Sequence, residues 1–86
     1  MATSANVAVF KYDGSRQCER DSGTSLEAMQ KRELKGIKVI KSSKQPDGNM
    51  RASVCGGKTG LMNVYEISEK DLNKAEKRGF KKLPPP

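Results

Sequence analysis

Residues 23–40 read GTSLEAMQKRELKGIKVI, and this stretch decides the fold. Thr24 and Glu27 form a capping box, apolar residues then recur at helical spacing, and Gly36 supplies a C-terminal stop. These signals predict a helix over residues 25–35. The apolar residues that follow Gly36 predict a strand directly after the helix.

A second strand signal lies upstream of this helix. Residues 7–12 read VAVFKY, which predicts a short strand with apolar character on both faces, and Ile37, Val39 and Ile40 mark the strand downstream. Because a helix of this length recrosses the sheet, the two strands are expected to be parallel and joined by a right-handed crossover. The unit therefore predicts a sheet with the helix packed on one face.

The second half of the chain predicts two more strands and another helix. Alternating residues at 50–55 and an apolar run at 61–67 are separated by turns rich in glycine. Ser68 as N-cap and Gly79 as C-terminal glycine then bound a second helix. The sequence thus predicts an α+β fold with a small sheet of about four strands, in the order β-α-β-β-β-α, and two helices packed on one face.

Length and composition predict one domain with a thin core. A chain of 86 residues buries too little surface for two independent cores. Leu, Ile, Val and Phe together number 15, which is close to the composition at which chains stay disordered. We expect a single domain over residues 1–86, with its core at roughly 6–80 and flexible tails at 1–5 and 81–86.

Two cysteines and no histidine limit what can supplement this core. A zinc site would need at least two carboxylate ligands, which is an uncommon set, so we expect no metal. A disulfide between Cys18 and Cys55 would stabilise the fold by roughly 4 kcal/mol and would indicate an oxidising compartment. It would require residues 15–18 to extend along a sheet edge. The alternative is two reduced thiols in a cytosolic protein.

Catalytic motifs are not evident in the sequence. The run GGKT at residues 56–59 ends like a phosphate-binding P-loop, but Ala52 occupies the place of its first glycine and a strand follows instead of a helix. Nucleophilic catalysis by Ser or Cys usually needs a nearby base, most often His, and the chain contains no His. We therefore expect no enzymatic activity and no cofactor.

The net charge of +7 favours acidic partners without choosing their class. The candidate binding surface consists of Lys38, Lys41, Arg51, Lys58 and Tyr65. A protein or a cell-envelope polymer is the favoured partner, because the chain is small, carries a cysteine pair and lacks catalytic groups. A nucleic acid is an alternative partner, although the predicted central strands carry few aromatic residues for stacking. A third interpretation is a protease inhibitor that presents the loop 56–60 with Lys58 as its target residue.

The layout resembles the split β-α-β domains that include cell-wall-binding modules. The resemblance lies in GIKVI at residues 36–40 and AEKRGF at residues 75–80. Those domains end on a further strand, which this sequence does not plainly show. No stretch is long and apolar enough for a membrane span, and no targeting signal is visible. We expect a secreted or periplasmic binding domain, with a cytoplasmic location as the alternative.

Overall fold

A four-stranded antiparallel sheet with two helices forms the fold. The structure, a computed structural model, describes residues 5–19, 22–50 and 52–83. The elements are β1 (Asn6–Tyr12), α1 (Leu26–Glu33), β2 (Val39–Pro46), β3 (Leu61–Ser68), a 3₁₀ turn (Glu69–Asp71), α2 (Leu72–Lys77) and β4 (Lys81–Lys82). The sheet order is β2-β3-β1-β4, and each neighbouring pair is antiparallel. The predicted α+β class is confirmed.

The strands β1 and β2 are parallel, as the sequence predicts, but they are not neighbours. Both pair with β3, which lies between them. Helix α1 therefore connects two strands across an intervening one.

Among the described residues, no helix is long and apolar enough to cross a membrane.

Both helices pack on the same face of the sheet. Val9 and Tyr65 are paired across β1 and β3, and both are fully buried. They share one apolar cluster with residues of both helices, of β3 and of the segments that follow the helices: Met29, Leu34, Ile37, Ile67, Ala75 and Phe80. Because successive strand residues face opposite sides, the residues that alternate with Val9 and Tyr65 face away from the helices.

We call this second surface the open face of the sheet. It comprises Ala8, Phe10 and Tyr12 of β1, Met62, Val64 and Glu66 of β3, Lys41, Ser43 and Gln45 of β2, and Lys81 of β4. No helix within the described ranges covers it. Tyr12 is exposed and Phe10 is half-buried, whereas Met62 and Val64 are buried. The apolar surface that the open face presents is therefore mainly that of the two aromatic residues of β1.

Helix α1 begins with a different cap from the predicted one. Ser25 is the N-cap, and its side-chain oxygen accepts a hydrogen bond from the backbone N–H of Ala28 at 3.1 Å. The backbone carbonyl of Thr24 instead accepts bonds from the side chains of Lys44 and Asn63. Thr24 and Ser25 are both suitable N-cap residues. In the structure Ser25 caps the helix, while Thr24 takes part in tertiary contacts through its carbonyl.

Helix α2 ends at Gly79 as predicted. Gly79 has φ +93°, the backbone N–H of Phe80 donates to the carbonyl of Ala75, and that of Gly79 donates to the carbonyl of Glu76, each at 3.1 Å. This pair of bonds is a Schellman motif. It turns Phe80 into the core, where its ring meets the Tyr65 ring edge-on at 5.9 Å between centroids.

A strand was predicted over residues 50–55, but the described residues of this range, 50 and 52–55, form no strand. Its apolar side chains are too few to form a buried face, and Met50 and Val54 are exposed. The Gln17 side chain takes up the backbone bonds that a strand would share, because it donates to the carbonyl of Ala52 and accepts from the N–H of Val54, each at 3.0 Å. Residues 47–50 and 52–60 thus lie outside the strands of the sheet.

The fourth strand lies in the segment that was predicted to be a flexible tail. Lys81 and Lys82 form β4 against Phe10 and Val9, because the Schellman turn delivers them to the unpaired edge of β1. The remaining parts of the predicted tails, residues 1–4 and 84–86, lie outside the described residues.

Candidate binding site

A disulfide joins two loops at one end of the sheet. The sulfur atoms of Cys18 and Cys55 lie 2.08 Å apart, so the predicted pairing is confirmed. The segment before Cys18 runs antiparallel to residues 57–59, with backbone bonds from Gln17 N–H to the Gly57 carbonyl and from Thr59 N–H to the Ser15 carbonyl. We call residues 15–17 and 57–59 the loop ribbon. The disulfide was predicted to require residues 15–18 to extend along a sheet edge, but residues 15–17 pair with a loop instead and Cys18 has φ +67°.

Two cations lie directly opposite each other in the loop ribbon. Arg16 is paired with Lys58, and the backbone bonds lie on either side of this pair rather than within it. In such a non-hydrogen-bonded pair the two side chains share one face and approach closely. The Arg16 guanidinium also donates to the carbonyl of Gly56 at 3.0 Å, which fixes its position.

A cleft of about 420 Å³ opens beside the loop ribbon. Its lining residues are Tyr12, Asp13, Gly14, Ser15, Arg16, Lys58, Thr59, Gly60 and Leu61. The volume lies within the range of small-ligand sites. Tyr12 and Leu61 supply apolar surface, and the two cations supply charge.

The carboxylate among these lining residues, Asp13, is paired from behind the cleft. It accepts hydrogen bonds from Lys44 Nζ at 2.7 Å and from the N–H of Ser15 at 2.8 Å. Burial would raise the pKa of Asp13, but the bonds from Lys44 and Ser15 outweigh it and hold the pKa below its ordinary value of 3.8. The positive charge of Lys44 therefore compensates the negative charge of Asp13 within the protein.

Asp13 belongs to a polar cluster that the sequence analysis did not identify. Lys44 Nζ also donates to Asn63 Oδ1 at 2.8 Å and to the carbonyl of Thr24 at 3.1 Å, and Asn63 donates to the same carbonyl at 2.9 Å. We call these four residues the polar cluster. Asn63 is fully buried, and its place within the apolar run of β3 is the signal that could have revealed the cluster.

The polar cluster should make stability depend on pH. The folded-state pKa of Asp13 is lowered, so its ionised form contributes stability above the unfolded pKa near 4, and this contribution is lost as pH falls through the folded pKa. We expect Asp13→Asn to be less stable than the parent at about pH 7, and expect this difference to shrink by about pH 2.5. Urea unfolding at the two pH values measures it. A difference of equal size at both values, or a similar pattern for the exposed control Glu27→Gln, would contradict the assignment.

The open face leads directly into the cleft. Its residues form three cross-strand rows: Lys41 with Glu66 and Ala8, then Ser43 with Val64, Phe10 and Lys81, then Gln45 with Met62 and Tyr12. The rings of Phe10 and Tyr12 meet edge-on, with 6.0 Å between their centroids. Tyr12 borders both surfaces, so the aromatic pair and the two cations form one continuous site.

The structure does not bring the predicted surface residues together. Lys58 lines the cleft, Lys41 lies on the open face opposite Glu66, and Lys38 is exposed in the segment before β2. Arg51 lies outside the described residues. Lys58 and Lys41 therefore belong to two adjoining parts of the site.

Tyr65 does not reach the surface on which it was placed. It is fully buried beneath the helices, and its hydroxyl donates to the carbonyl of Leu26 at 2.7 Å. Burial, together with the nearby negative charge of Glu33, raises the pKa of Tyr65 to about 12. Its register explains the correction, because Tyr65 pairs with the core residue Val9.

The aromatic residues of the site are those of the first strand. Phe10 and Tyr12 alternate with Val9, and this alternation was visible in the sequence. It would have placed both rings on the face opposite the core. Arg16 carried no comparable signal, since its pairing with Lys58 depends on the loop ribbon.

No protein-family model, curated protein or solved structure matches this chain. Among the described residues, no group of three or more His, Cys, Asp or Glu could hold a metal ion. The site is therefore interpreted from its own geometry. Fold and site together define a small disulfide-linked α+β domain with an aromatic sheet surface beside a basic cleft.

Proposed function

We propose that this chain is a non-enzymatic binding domain, secreted or periplasmic, that binds an extended acidic segment of a partner protein. The observation that carries the proposal is the open face, where Phe10 and Tyr12 lead into a cleft bearing Arg16 and Lys58. Aromatic, Met and Arg side chains are the ones enriched where proteins contact each other. The open face and the cleft present the aromatic and Arg side chains, while Met62 beside Tyr12 is buried.

The dimensions and charge of the site support an extended acidic ligand. Along β1 the open-face residues from Ala8 to Tyr12 span about 14 Å, which is the length of about four residues of extended peptide. Lys41 and Lys81 flank this strip on the outer strands. A net charge of +7 also attracts and orients acidic segments before contact.

The disulfide supports an oxidising location. Structural disulfides persist in secreted and periplasmic proteins and are rare in the cytosol. The bond between Cys18 and Cys55 also restrains the loop ribbon, which carries two of the proposed binding residues. Its reduction would therefore affect both stability and the geometry of the cleft.

Nucleic acid is a less favoured partner class. RNA-binding sheets present stacking aromatic residues on both central strands. Here β3 contributes Met62, Val64 and Glu66 to the open face, so one central strand lacks aromatic residues. The nucleic-acid interpretation nevertheless stays an outcome of the test below.

The protease-inhibitor interpretation gains no support from the position of Lys58. An inhibitory residue is presented outward on a loop that enters the active site of the protease. Lys58 instead lies within the loop ribbon, paired with Arg16, and borders a concave cleft. This interpretation remains a prediction.

The test is a selection of peptides from a random display library against the immobilised, oxidised protein at about 150 mM salt. We expect enrichment of acidic peptides, and expect Tyr12→Ala to weaken their binding roughly tenfold, equivalent to about 1.4 kcal/mol. The matched control is Ile40→Ala, which removes another exposed apolar side chain of the sheet and should bind like the parent.

Three outcomes would overturn the proposal. One is enrichment of peptides without acidic residues, and another is equal binding by Tyr12→Ala and the parent. The third is tighter binding to a different polymer. We expect affinity for single-stranded DNA to be no tighter than about 10 μM at this salt. Submicromolar DNA binding would assign the domain to nucleic acid. Tighter binding to purified cell-envelope glycan than to the peptides would assign it to that polymer.

A further inference from the structure

We infer that the cleft beside the loop ribbon is a carboxylate-binding subsite, in which Arg16 and Lys58 together hold one carboxylate group. The assignment of this carboxylate to an acidic residue of a protein partner rests on the proposed function. The subsite itself rests on the geometry of the two cations, which is independent of the open face.

The first argument is the unfavourable position of the two cations. Like charges placed directly opposite each other on neighbouring strands destabilise the pairing. Neither of the ion pairs formed between described residues, Lys11 with Glu33 and Lys44 with Asp13, involves Arg16 or Lys58. A bound anion would relieve the repulsion between Arg16 and Lys58 and would gain two cationic partners at once.

The second argument is the compensation of Asp13. A carboxylate in the lining of the cleft would be the natural partner for Arg16 and Lys58, but Lys44 and Ser15 already hold it. Asp13 is also buried, whereas both cations are exposed. Among the residues that line the cleft, the exposed charges are therefore those of the two cations.

The third argument is the rigidity of the cationic pair. Arg16 Nη1 donates to the Gly56 carbonyl, and the ribbon that carries both cations is closed by the Cys18–Cys55 bond. A guanidinium has five N–H donors in a fixed fork, so the bond to Gly56 leaves donors for a ligand. Because the Arg16 guanidinium is already positioned, less ordering of this side chain is required on binding.

The chemistry of the walls selects the class of ligand. Tyr12 and Leu61 provide apolar surface on one part of the lining, while the hydroxyls of Ser15 and Thr59 form a hydrogen bond with each other. A carboxylate on a short apolar stem, as in a glutamate side chain, matches this combination. Phosphate shares the affinity for Arg and Lys, so the experiment separates the two anions.

The test is a titration of the oxidised protein with N-acetyl-glutamate amide, followed through backbone amide NMR shifts. We expect the largest shifts at residues 14–17 and 57–60. The neutral analogue N-acetyl-glutamine amide should produce none of comparable size. Lys58→Gln should weaken the binding of the glutamate probe roughly fivefold or more, as expected for loss of a charge-assisted contact. The matched control Lys74→Gln changes an exposed lysine of α2 and should leave the titration unchanged.

Several results would overturn the subsite. These are shifts that fall elsewhere, equal shifts with the glutamine analogue, and an unchanged affinity in Lys58→Gln. Inorganic phosphate titrated at the same ionic strength distinguishes the anions, and roughly tenfold tighter binding of phosphate would reject the carboxylate assignment.

A melting experiment provides a second readout. If repulsion between Arg16 and Lys58 is present, Lys58→Gln should raise the melting temperature of the free protein by about 1–4 °C. A lowered melting temperature would indicate a structural role for Lys58 and would contradict the subsite.

The two proposals fail separately. Acidic peptides that depend on Tyr12 but bind equally to Lys58→Gln would remove the subsite and leave the proposed function. Probe binding in the cleft without any selected acidic peptide would retain the subsite and remove the protein partner.

Discussion

Replacing Cys18 and Cys55 together by serine should lower the free energy of unfolding by roughly 2–4 kcal/mol. The two cysteines are 37 positions apart, so the bond restricts a large part of the unfolded chain. The core that remains is small, since the chain contains only 15 Leu, Ile, Val and Phe residues. Denaturant unfolding under non-reducing conditions, compared between the parent and the double variant, measures the loss.

The control for this experiment is the parent protein unfolded in the presence of reductant. Its midpoint should fall to that of the double serine variant, because both lack the same bond. A double variant that unfolds at the midpoint of the oxidised parent would show that the bond contributes nothing. A reduced parent that is much more stable than the variant would show that the serines themselves cause the loss.

Replacing Lys44 by methionine should cost about 2–4 kcal/mol, because it removes the cation that holds the polar cluster together. Asp13 and the side-chain oxygen of Asn63 would both lose a hydrogen-bond donor while remaining buried. The expected loss is below that of a fully buried ion pair, since the Lys44 side chain is 37% exposed. Urea unfolding at neutral pH gives the difference.

The matched control is Lys41→Met, which changes another lysine of β2 that lies on the opposite face of the sheet. We expect its effect to stay within about 0.5 kcal/mol, as for most surface substitutions. Adding Asp13→Asn to Lys44→Met should recover part of the loss, because the buried charge is then gone. Equal losses for the two lysine variants would contradict the role of the polar cluster.

The parts of the fold that were predictable are those with local signals. The helices are followed by glycines that end them, and the strands β1 and β3 have apolar runs bounded by turns. The loop 50–55 and the strand β4 were not predictable in this way. Gln17 satisfies the backbone of the loop from far along the chain, and Lys81–Lys82 become a strand only beside β1.

The site shows the same division between local and distant causes. The cysteine pair was predictable from number and chain length, and the outward position of Phe10 and Tyr12 follows from simple alternation. Tyr65 was misplaced because its run is apolar on both faces, so alternation alone could not choose its side. The opposition of Arg16 and Lys58 depends on the register of two loops that only the folded chain brings together.

The order of the strands also determines when the protein can fold. The central pair joins β1 to β3, with Asn6 opposite Ser68, so nearly the whole described chain must be available before the middle of the sheet can form. Contacts so distant in sequence require a large loop to close first, which slows folding relative to a chain of local contacts. Helix α1 alone has too few residues to persist in water. A growing chain therefore stays without its central sheet until β3 has been synthesised, and the transition to the native state is a late and collective event.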